Sequence, residues 1–480
     1  MMKTFIGRKR ELKKLQELYT QKQAILVVIK GRRRIGKSRL VTEFAKDKQF
    51  FSFTGLAPID GITDQTQRDH FGRQLSTYLK IPPLTFTDWS DAFNYLSHSL
   101  NDKEAVVLFD EISWMGIKDP TFVPKLKAWW DQVVSEKQKI MLIFCGSVST
   151  WIEDNIINST AFFGRISLAL TLEPLTLPEC AQFLKLQNFR GSTIDVYKML
   201  SIIGGIPWYL EQIMPQMTTD QNIKRLCFDK EGLLVNEFDQ IFHDLFNGRG
   251  TMYKKILEAL KNGMKTLADI RESLDFAHSG TLSKLVEHLI TCGFVSKHAQ
   301  WSLKTAKLSK QSLYRISDPY IRFYLKYIEP NRSRIDQDYY EQVALNQIPG
   351  FDSIIGFQVE TLLLQNRSLL LKAIGINPSD CVFDNPYQQK STVRGKGSQI
   401  DYLVQTRTKN LYLCEFKFKR QEIGAEISDE IQEKINRLSI PRGFAITPVL
   451  FHIRGVTETV LDNQYFYRII DITDFLETAP

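Results

Sequence analysis

The sequence predicts an α/β chain: an N-terminal parallel sheet, a helical middle, and a second α/β unit toward the C-terminal end. Three observations predict it. The apolar runs Ala24-Ile25-Leu26-Val27-Val28-Ile29, Ala105-Val106-Val107-Leu108-Phe109 and Ile140-Met141-Leu142-Ile143-Phe144 are separated by stretches with helical spacing. None of these runs alternates polar with apolar residues, as expected of strands covered on both faces. Much later, the strand-like runs 399–405 and 411–418 flank Arg407-Thr408-Lys409, the pattern of a hairpin. Strands alternating with helices imply parallel pairing through right-handed crossovers.

The first run leads into Gly31-Arg32-Arg33-Arg34-Ile35-Gly36-Lys37-Ser38, which has the spacing Gly-x4-Gly-Lys-Ser between a strand and a helix. Glycines let the backbone bend so that successive N–H groups face one phosphate. A helix starting near Lys37 points its positive end at the same place. Lys37 then reaches the β and γ phosphates, and the Ser38 hydroxyl holds Mg²⁺. The nucleotide-binding set is therefore Gly31, Arg32, Arg33, Arg34, Ile35, Gly36, Lys37, Ser38 and Arg39. ATP and Mg²⁺ are the expected ligand and cofactor.

The second run ends in Asp110-Glu111. A parallel strand delivers its last residues to the carboxyl edge of the sheet, where ligands bind. Asp110 is placed to hold Mg²⁺ through water, and Glu111 to polarise an attacking water. An acidic pair capping the next helix is the rival reading. The third run leads into Cys145-Gly146-Ser147, where Ser147 either senses the γ-phosphate or caps a helix. Arg165, in Phe163-Gly164-Arg165, is either a stabiliser of charge on the leaving phosphate, in its own chain or in a neighbour's, or a surface arginine.

Several of these motifs resemble one family. Phe5-Ile6-Gly7-Arg8-x-x-Glu11-Leu12 ahead of the phosphate loop resembles the N-terminal box of the archaeal-type ATPases, a branch of the STAND and AAA+-like P-loop NTPases. Asp110-Glu111, Cys145-Gly146-Ser147, Phe163-Gly164-Arg165 and Gly204-Gly205-Ile206-Pro207 do so too. Tyr314-Arg315-Ile316-Ser317-Asp318-Pro319-Tyr320 with Glu329-Pro330-Asn331-Arg332 resembles the family's later segment. The resemblance implies ATP binding and hydrolysis, a winged-helix module and a C-terminal nuclease-like domain. The run Arg32-Arg33-Arg34 departs from the family pattern by adding three positive charges beside the phosphates.

The expected order is a P-loop ATPase domain over 1–180, a helical lid over 181–245, a winged helix over 246–330, and a nuclease-like domain over 340–480. Pro330-Asn331-Arg332-Ser333 reads as the boundary before the last. In the middle, helical patterns around Ile256-Leu257-x-x-Leu260, Leu267-Ala268-Asp269-Ile270 and Ser279 to Ile290 suit a helix-turn-helix, with Ser279 or Thr281 as the cap of the third. Gly293-Phe294-Val295 then opens a strand, as a wing would. Residues 251–310 hold ten Lys+Arg against five Asp+Glu, which suits a phosphate backbone. The candidate recognition helix offers only Lys284 and His288 as positive groups, against Glu287. DNA contact and a role as lid or protein contact both fit.

If the late hairpin is centred on Thr408, Asp401 lies opposite Glu415, with β-carbons about 5 Å apart. Period 2 puts Lys417 on the face of Glu415. Two carboxylates suit a hard divalent cation, and the lysine can orient a water or stabilise a phosphorane. A solvated strand face with ordinary cross-strand charges is the alternative. The pattern resembles the core of PD-(D/E)xK nucleases, with Glu360 matching that fold's helix acid. The implied fold is restriction-endonuclease-like α/β, the implied metal ligands are Glu360, Asp401 and Glu415, and Lys417 joins Lys37, Glu111 and Arg165 as a catalytic candidate.

Composition narrows the classes. The 43% hydrophobic and 24% charged shares exclude wholesale disorder over 480 residues. No apolar run approaches the roughly 20 residues of a membrane helix, and the N-terminal residues lack an apolar leader. Six cysteines, 145, 180, 227, 292, 381 and 414, lie far apart with no Cys-x-x-Cys pair, which reads as reduced thiols in a cytoplasm. The 62 Lys+Arg and 54 Asp+Glu leave a net +8. That surplus is concentrated locally, since 30–39 alone carries six basic and no acidic residues. Two functions fit: an ATPase coupled to a DNA-binding winged helix and a metal-dependent nuclease-like domain, or a nucleotide-controlled switch whose C-terminal domain is inactive. A homo-oligomer is compatible with either.

Overall fold

The computed structural model describes residues 4–21, 23–57, 59–100, 104–136, 140–147, 150–246, 250–276, 279–391, 396–419 and 421–477. Residues 1–3, the first of the N-terminal stretch without an apolar run, lie outside them. The chain divides into two compact units, Met1–Pro174 and Leu175–Pro480. Among the described residues no helix is long and apolar enough to cross a membrane.

The first unit is built on five parallel strands: β1 (Ile25–Gly31), β2 (Gln49–Thr54), β3 (Ala105–Asp110), β4 (Ile140–Ser147) and β5 (Ile166–Leu172), in the order β2-β3-β4-β1-β5. The three strands expected from apolar runs are the central ones. Nearly every residue of β1, β3 and β4 is buried, because helices cover both faces. The edge strands alternate buried with exposed positions, as one-sided strands do. An aromatic core fills one face. Phe53 stacks on Phe71 at 4.4 Å between ring centroids, and Phe93 stacks on Trp129 at 5.1 Å. Phe109 on β3 lies within 6.2 Å of both Phe93 and Trp129. Burying rings of this size dominates the stability of a domain.

The second unit begins with helices Leu177–Leu186, Thr193–Ile203, Thr219–Cys227 and Leu233–Phe246. Gly204 ends the second of these at φ 63, a left-handed turn that favours glycine. Helices Gly250–Leu260, Leu267–Ser273 and Ser279–Thr291 follow, interleaved with β6 (Lys265–Thr266), β7 (Val295–Ser302) and β8 (Lys307–Ile316). The strands form an antiparallel sheet ordered β6-β8-β7. Thr266 caps the second helix through a capping box with Asp269. The third helix starts at Ser279, so Thr281 lies within its first turn, and the Ser279 side chain is outside the described residues. Around Pro330 the chain is not an extended linker. Residues 319–336 run through successive helical turns, and Arg332 donates to the Val235 carbonyl at 2.7 Å.

Helix Phe351–Gln365 leads into a mixed sheet ordered β13-β12-β11-β10-β9. Its strands are β9 (Cys381–Gln389), β10 (Ser398–Thr406), β11 (Asn410–Lys417), β12 (Ala445–His452) and β13 (Arg468–Asp471). The pairs β9/β10 and β10/β11 are antiparallel, whereas β11/β12 and β12/β13 are parallel. Helix Glu426–Arg437 makes the crossover between β11 and β12. The hairpin is centred on Thr408 as expected: Tyr402 pairs with Cys414 and Gln405 with Leu411. Lys409 closes the turn at φ 63. All six cysteines are free, with Cys381 half-buried and the other five buried.

Candidate functional site

β1 ends at Gly31, and the helix Lys37–Phe44 starts six residues later. The turn between them needs special backbone. Gly36 has φ 91 and Arg34 has φ 68, a region that L side chains seldom adopt. A β-carbon on Gly31 would lie 3.0 Å from the Leu172 carbonyl oxygen, so the loop packs against the end of β5. The N–H groups of a first helical turn have no acceptor within their own helix. The Lys37 ammonium donates to the carbonyls of Gly31 at 3.2 Å and Arg32 at 3.3 Å, across the mouth of the loop. The Ser38 hydroxyl donates to Asp110 Oδ2 at 2.6 Å. The loop residue Ser38 and the strand-end residue Asp110 therefore share one point, as two ligands of one Mg²⁺ must.

Glu111 has the left-handed φ of 48 and stands at the N-cap position of helix Ile112–Gly116. Its side chain makes no cap hydrogen bond there, whereas Asp110 Oδ1 accepts from Glu111 N at 3.1 Å. The Glu111 side chain turns instead to β4, accepting from Ser147 N at 3.2 Å and Ser147 Oγ at 3.4 Å. Burial pushes the Glu111 carboxyl above its ordinary range; the Lys37 charge opposes this and Asp110 adds to it. Ser147 pairs with Gly31 across the sheet, so loop, β3 and β4 all end together at the carboxyl edge. The donor set suits a triphosphate with its metal: an ammonium, a helix N-terminus, and a hydroxyl beside a carboxylate.

Arg8 was not among the expected binding residues. It is 6% exposed, and its Nη2 donates to the Ile35 carbonyl at 3.3 Å, bracing the loop from beneath. The box Phe5-Ile6-Gly7-Arg8 carried the signal: Gly7 and Arg8 both have positive φ, at 72 and 59.

The register separates Arg165 from the phosphate loop of its own chain. Arg165 precedes Ile166, which pairs with Leu26 near the start of β1, whereas the phosphate loop follows the end of β1. At about 3.3 Å per residue, the five residues from Leu26 to Gly31 separate them by roughly 16 Å. Arg165 thus lies at the opposite edge of the sheet and does not reach the nucleotide of its own chain. It is forked onto Asp131, with Nε to Oδ1 at 2.6 Å and Nη2 to Oδ2 at 2.9 Å.

The second cluster lies in the C-terminal mixed sheet. The Asp401 carboxylate accepts from Phe416 N at 3.0 Å, which sets it beside Glu415 across the hairpin. Burial, with Glu415 and Glu360 nearby, pushes the Asp401 carboxyl well above the usual carboxylate range. Lys417 Nζ lies 3.2 Å from Glu415 Oε1, on the expected face. Two partners were not expected. Lys434, on helix Glu426–Arg437, donates to both Glu415 oxygens at 2.7 and 2.6 Å. Glu360 is ion-paired with Arg315, whose guanidinium is 1% exposed. The three carboxylates expected to bind a metal are thus not an open set: Glu360 is held by Arg315 and Glu415 by Lys434. Among the described residues no group of three or more His, Cys, Asp or Glu is arranged to hold a metal ion. These residues do not fit a divalent cation as they stand.

In the helix Ser279–Thr291, His288 Nδ1 is 2.7 Å from Tyr253 Oη and Glu287 is paired with Lys297, which leaves Lys284 as the exposed cation of the expected recognition face. The β7–β8 hairpin is exposed over 304–310, where Lys304 lies in the turn and Lys307 and Lys310 at the start of β8.

Residues 5–213 match the family described as an ATPase domain predominantly from Archaea. The matched segment is an ATP-binding P-loop ATPase domain. A curated relative, an uncharacterized protein of Methanocaldococcus jannaschii, is 27% identical over 359 residues, covering 72% of this chain and 75% of its own length. Among solved structures, a Walker-type ATPase of Pyrococcus abyssi superposes with TM-score 0.48 at 17% identity, covering 67% of this chain and 96% of that one. The ORC2 protein of Aeropyrum pernix gives TM-score 0.44 at 13% identity, covering 71% and 97%.

Proposed function

We propose that the ATPase domain hydrolyses ATP at the carboxyl edge of its sheet and that its nucleotide state controls the modules that follow. The observation that carries the reading is the 2.6 Å contact between Ser38 and Asp110, with Lys37 and Glu111 beside it. Lys37 would exchange its two loop carbonyls for phosphate oxygens, and the first helical turn would donate its N–H groups to the same anion. Mg²⁺ held by Ser38 and Asp110 would supply charge neutralisation on the phosphates. Glu111 would orient the attacking water and draw its proton, with Ser147 fixing the carboxylate. ATP turnover by the full chain tests this: Lys37→Ala should abolish it, and turnover unaffected by that change would mean the site is misassigned.

The helices from 250 to 291 with the β6-β8-β7 sheet support the reading of a winged helix, and its surplus of five positive charges supports contact with DNA phosphates. Because His288 is bonded to Tyr253, the support is for backbone contact through Lys284 and the β7–β8 lysines rather than for base readout. A gel-shift titration with and without ATP should give binding that weakens steeply with salt. Absence of binding at low ionic strength would leave the lid role.

For the C-terminal sheet, the hairpin with Asp401, Glu415 and Lys417 supports a nuclease-like arrangement. One observation favours the second reading, in which this domain binds without cutting: Lys434 holds both oxygens of Glu415. Plasmid cleavage assayed with Mg²⁺ or Mn²⁺, in wild type and Lys417→Ala, separates the two. Cleavage lost in the variant would restore the nuclease reading.

A further inference from the structure

The Glu415 side chain is 4% exposed. An ionised carboxylate at that depth needs a cation in contact. Lys434 supplies one from outside the hairpin. Helix Glu426–Arg437 carries Glu430 one turn before Lys434, and Glu430 accepts from Lys417 at 2.8 Å. Lys417 in turn touches Glu415. The result is an alternating chain, Glu430–Lys417–Glu415–Lys434, with Arg315 answering Glu360 separately.

We propose that Lys434 is the resident cation of this site: its ammonium takes the place on Glu415 that a divalent metal would occupy, and the site binds no divalent cation while Lys434 is present. A hard divalent cation needs several oxygen ligands at once. Here both oxygens of the most buried carboxylate are already spanned by one ammonium. The arrangement ties the crossover helix to β11, so the charge cluster serves as a clasp between helix and sheet. The inference deepens the non-cutting reading of this domain and is independent of the ATPase reaction.

Mn²⁺ binding to the nucleotide-free full chain, counted by electron paramagnetic resonance, tests it. Wild type and Glu415→Gln should bind Mn²⁺ alike. Lys434→Met should gain roughly one Mn²⁺ per chain, as expected of an uncovered carboxylate site. Adding Glu415→Gln to Lys434→Met should remove that ion, and Lys434→Arg should gain none. Lys434→Gln, which keeps a hydrogen-bond donor, serves if the Met variant does not fold. Mn²⁺ should raise the melting temperature of the Lys434→Met or Lys434→Gln chain more than that of wild type. A Glu415-dependent Mn²⁺ in wild type, or no gain in either uncharged variant, overturns the proposal. ATP turnover measured on the same samples reports the N-terminal site separately, so a failed ATPase reading would appear as inactive wild type with the Mn²⁺ counts unchanged.

Discussion

The two charge clusters are built on opposite principles. At the phosphate loop the chain gathers six basic residues within 30–39 and aims a helix N-terminus at the same point. The acids nearby, Asp110 and Glu111, accept from Ser38 and Ser147, and the Lys37 charge acts on Glu111. Lys30 is ion-paired with Glu153, while Lys37 donates to two backbone carbonyls, bonds that phosphate oxygens can replace. In the C-terminal cluster Glu360, on helix Phe351–Gln365, and Glu415, on β11, each meet a cation of the protein, and Asp401 accepts from Phe416 N. The first cluster is arranged to receive a charged ligand; the second is closed upon itself. The residue types in a motif therefore do not tell whether it binds, and the partner of each charge has to be traced.

Substitutions that remove charge should separate the clusters. The largest effect belongs to Lys37→Ala, which should lower ATP turnover by on the order of 100-fold or more, read by phosphate release. Glu111→Gln should lower turnover by about 100-fold while equilibrium binding of ATP persists, because only the water-activating carboxylate is lost. In contrast, Lys417→Ala in the closed cluster should leave turnover within about twofold, because its partners are Glu415 and Glu430 and not the phosphate-loop residues.

Stability gives a second axis. Phe93→Ala empties part of the aromatic stack behind β3 and should cost about 3–5 kcal/mol in denaturant unfolding. The pH profile sharpens the comparison further. Burial raises the Glu111 carboxyl, so its ionised form is the one disfavoured in the folded chain. Turnover should accordingly fall as pH drops through a value above the ordinary Glu range of about 4.3. An acidic limb at or below that range would remove Glu111 as the base. The smallest effect is expected for Arg165→Ala, whose turnover per chain in dilute solution should stay within about twofold of wild type, because Arg165 stands at the far edge of the sheet.

Much of this organisation is legible in the sequence. The central strands β1, β3 and β4 show as unbroken apolar runs because both faces are covered. The edge strands β2 and β5 escape the same search, since Gln49–Thr54 and Ile166–Leu172 alternate and carry polar residues on one face. The hairpin register follows from counting outward from Thr408, because pairing in a hairpin is fixed by its turn. The Arg165 motif leaves open which chain's nucleotide it would serve, because it gives no hint of the sheet edge it occupies; strand direction shows that edge. Lys434 could not be found by pattern. It lies in Glu426–Arg437, where alternating charges resemble any solvated helix, and only the crossover from β11 to β12 turns that residue inward onto Glu415. Arg315 is 45 residues from Glu360 and meets it only through the packing of β8 against helix Phe351–Gln365.

The central claim is that ATP is hydrolysed where Lys37, Ser38, Asp110 and Glu111 converge. The most direct test is steady-state phosphate release by the full chain with Mg²⁺ and ATP, compared between wild type and Lys37→Ala at matched folded concentration. Turnover in wild type that falls by at least about 100-fold in the variant is the predicted result. Equal turnover in the two chains would contradict it.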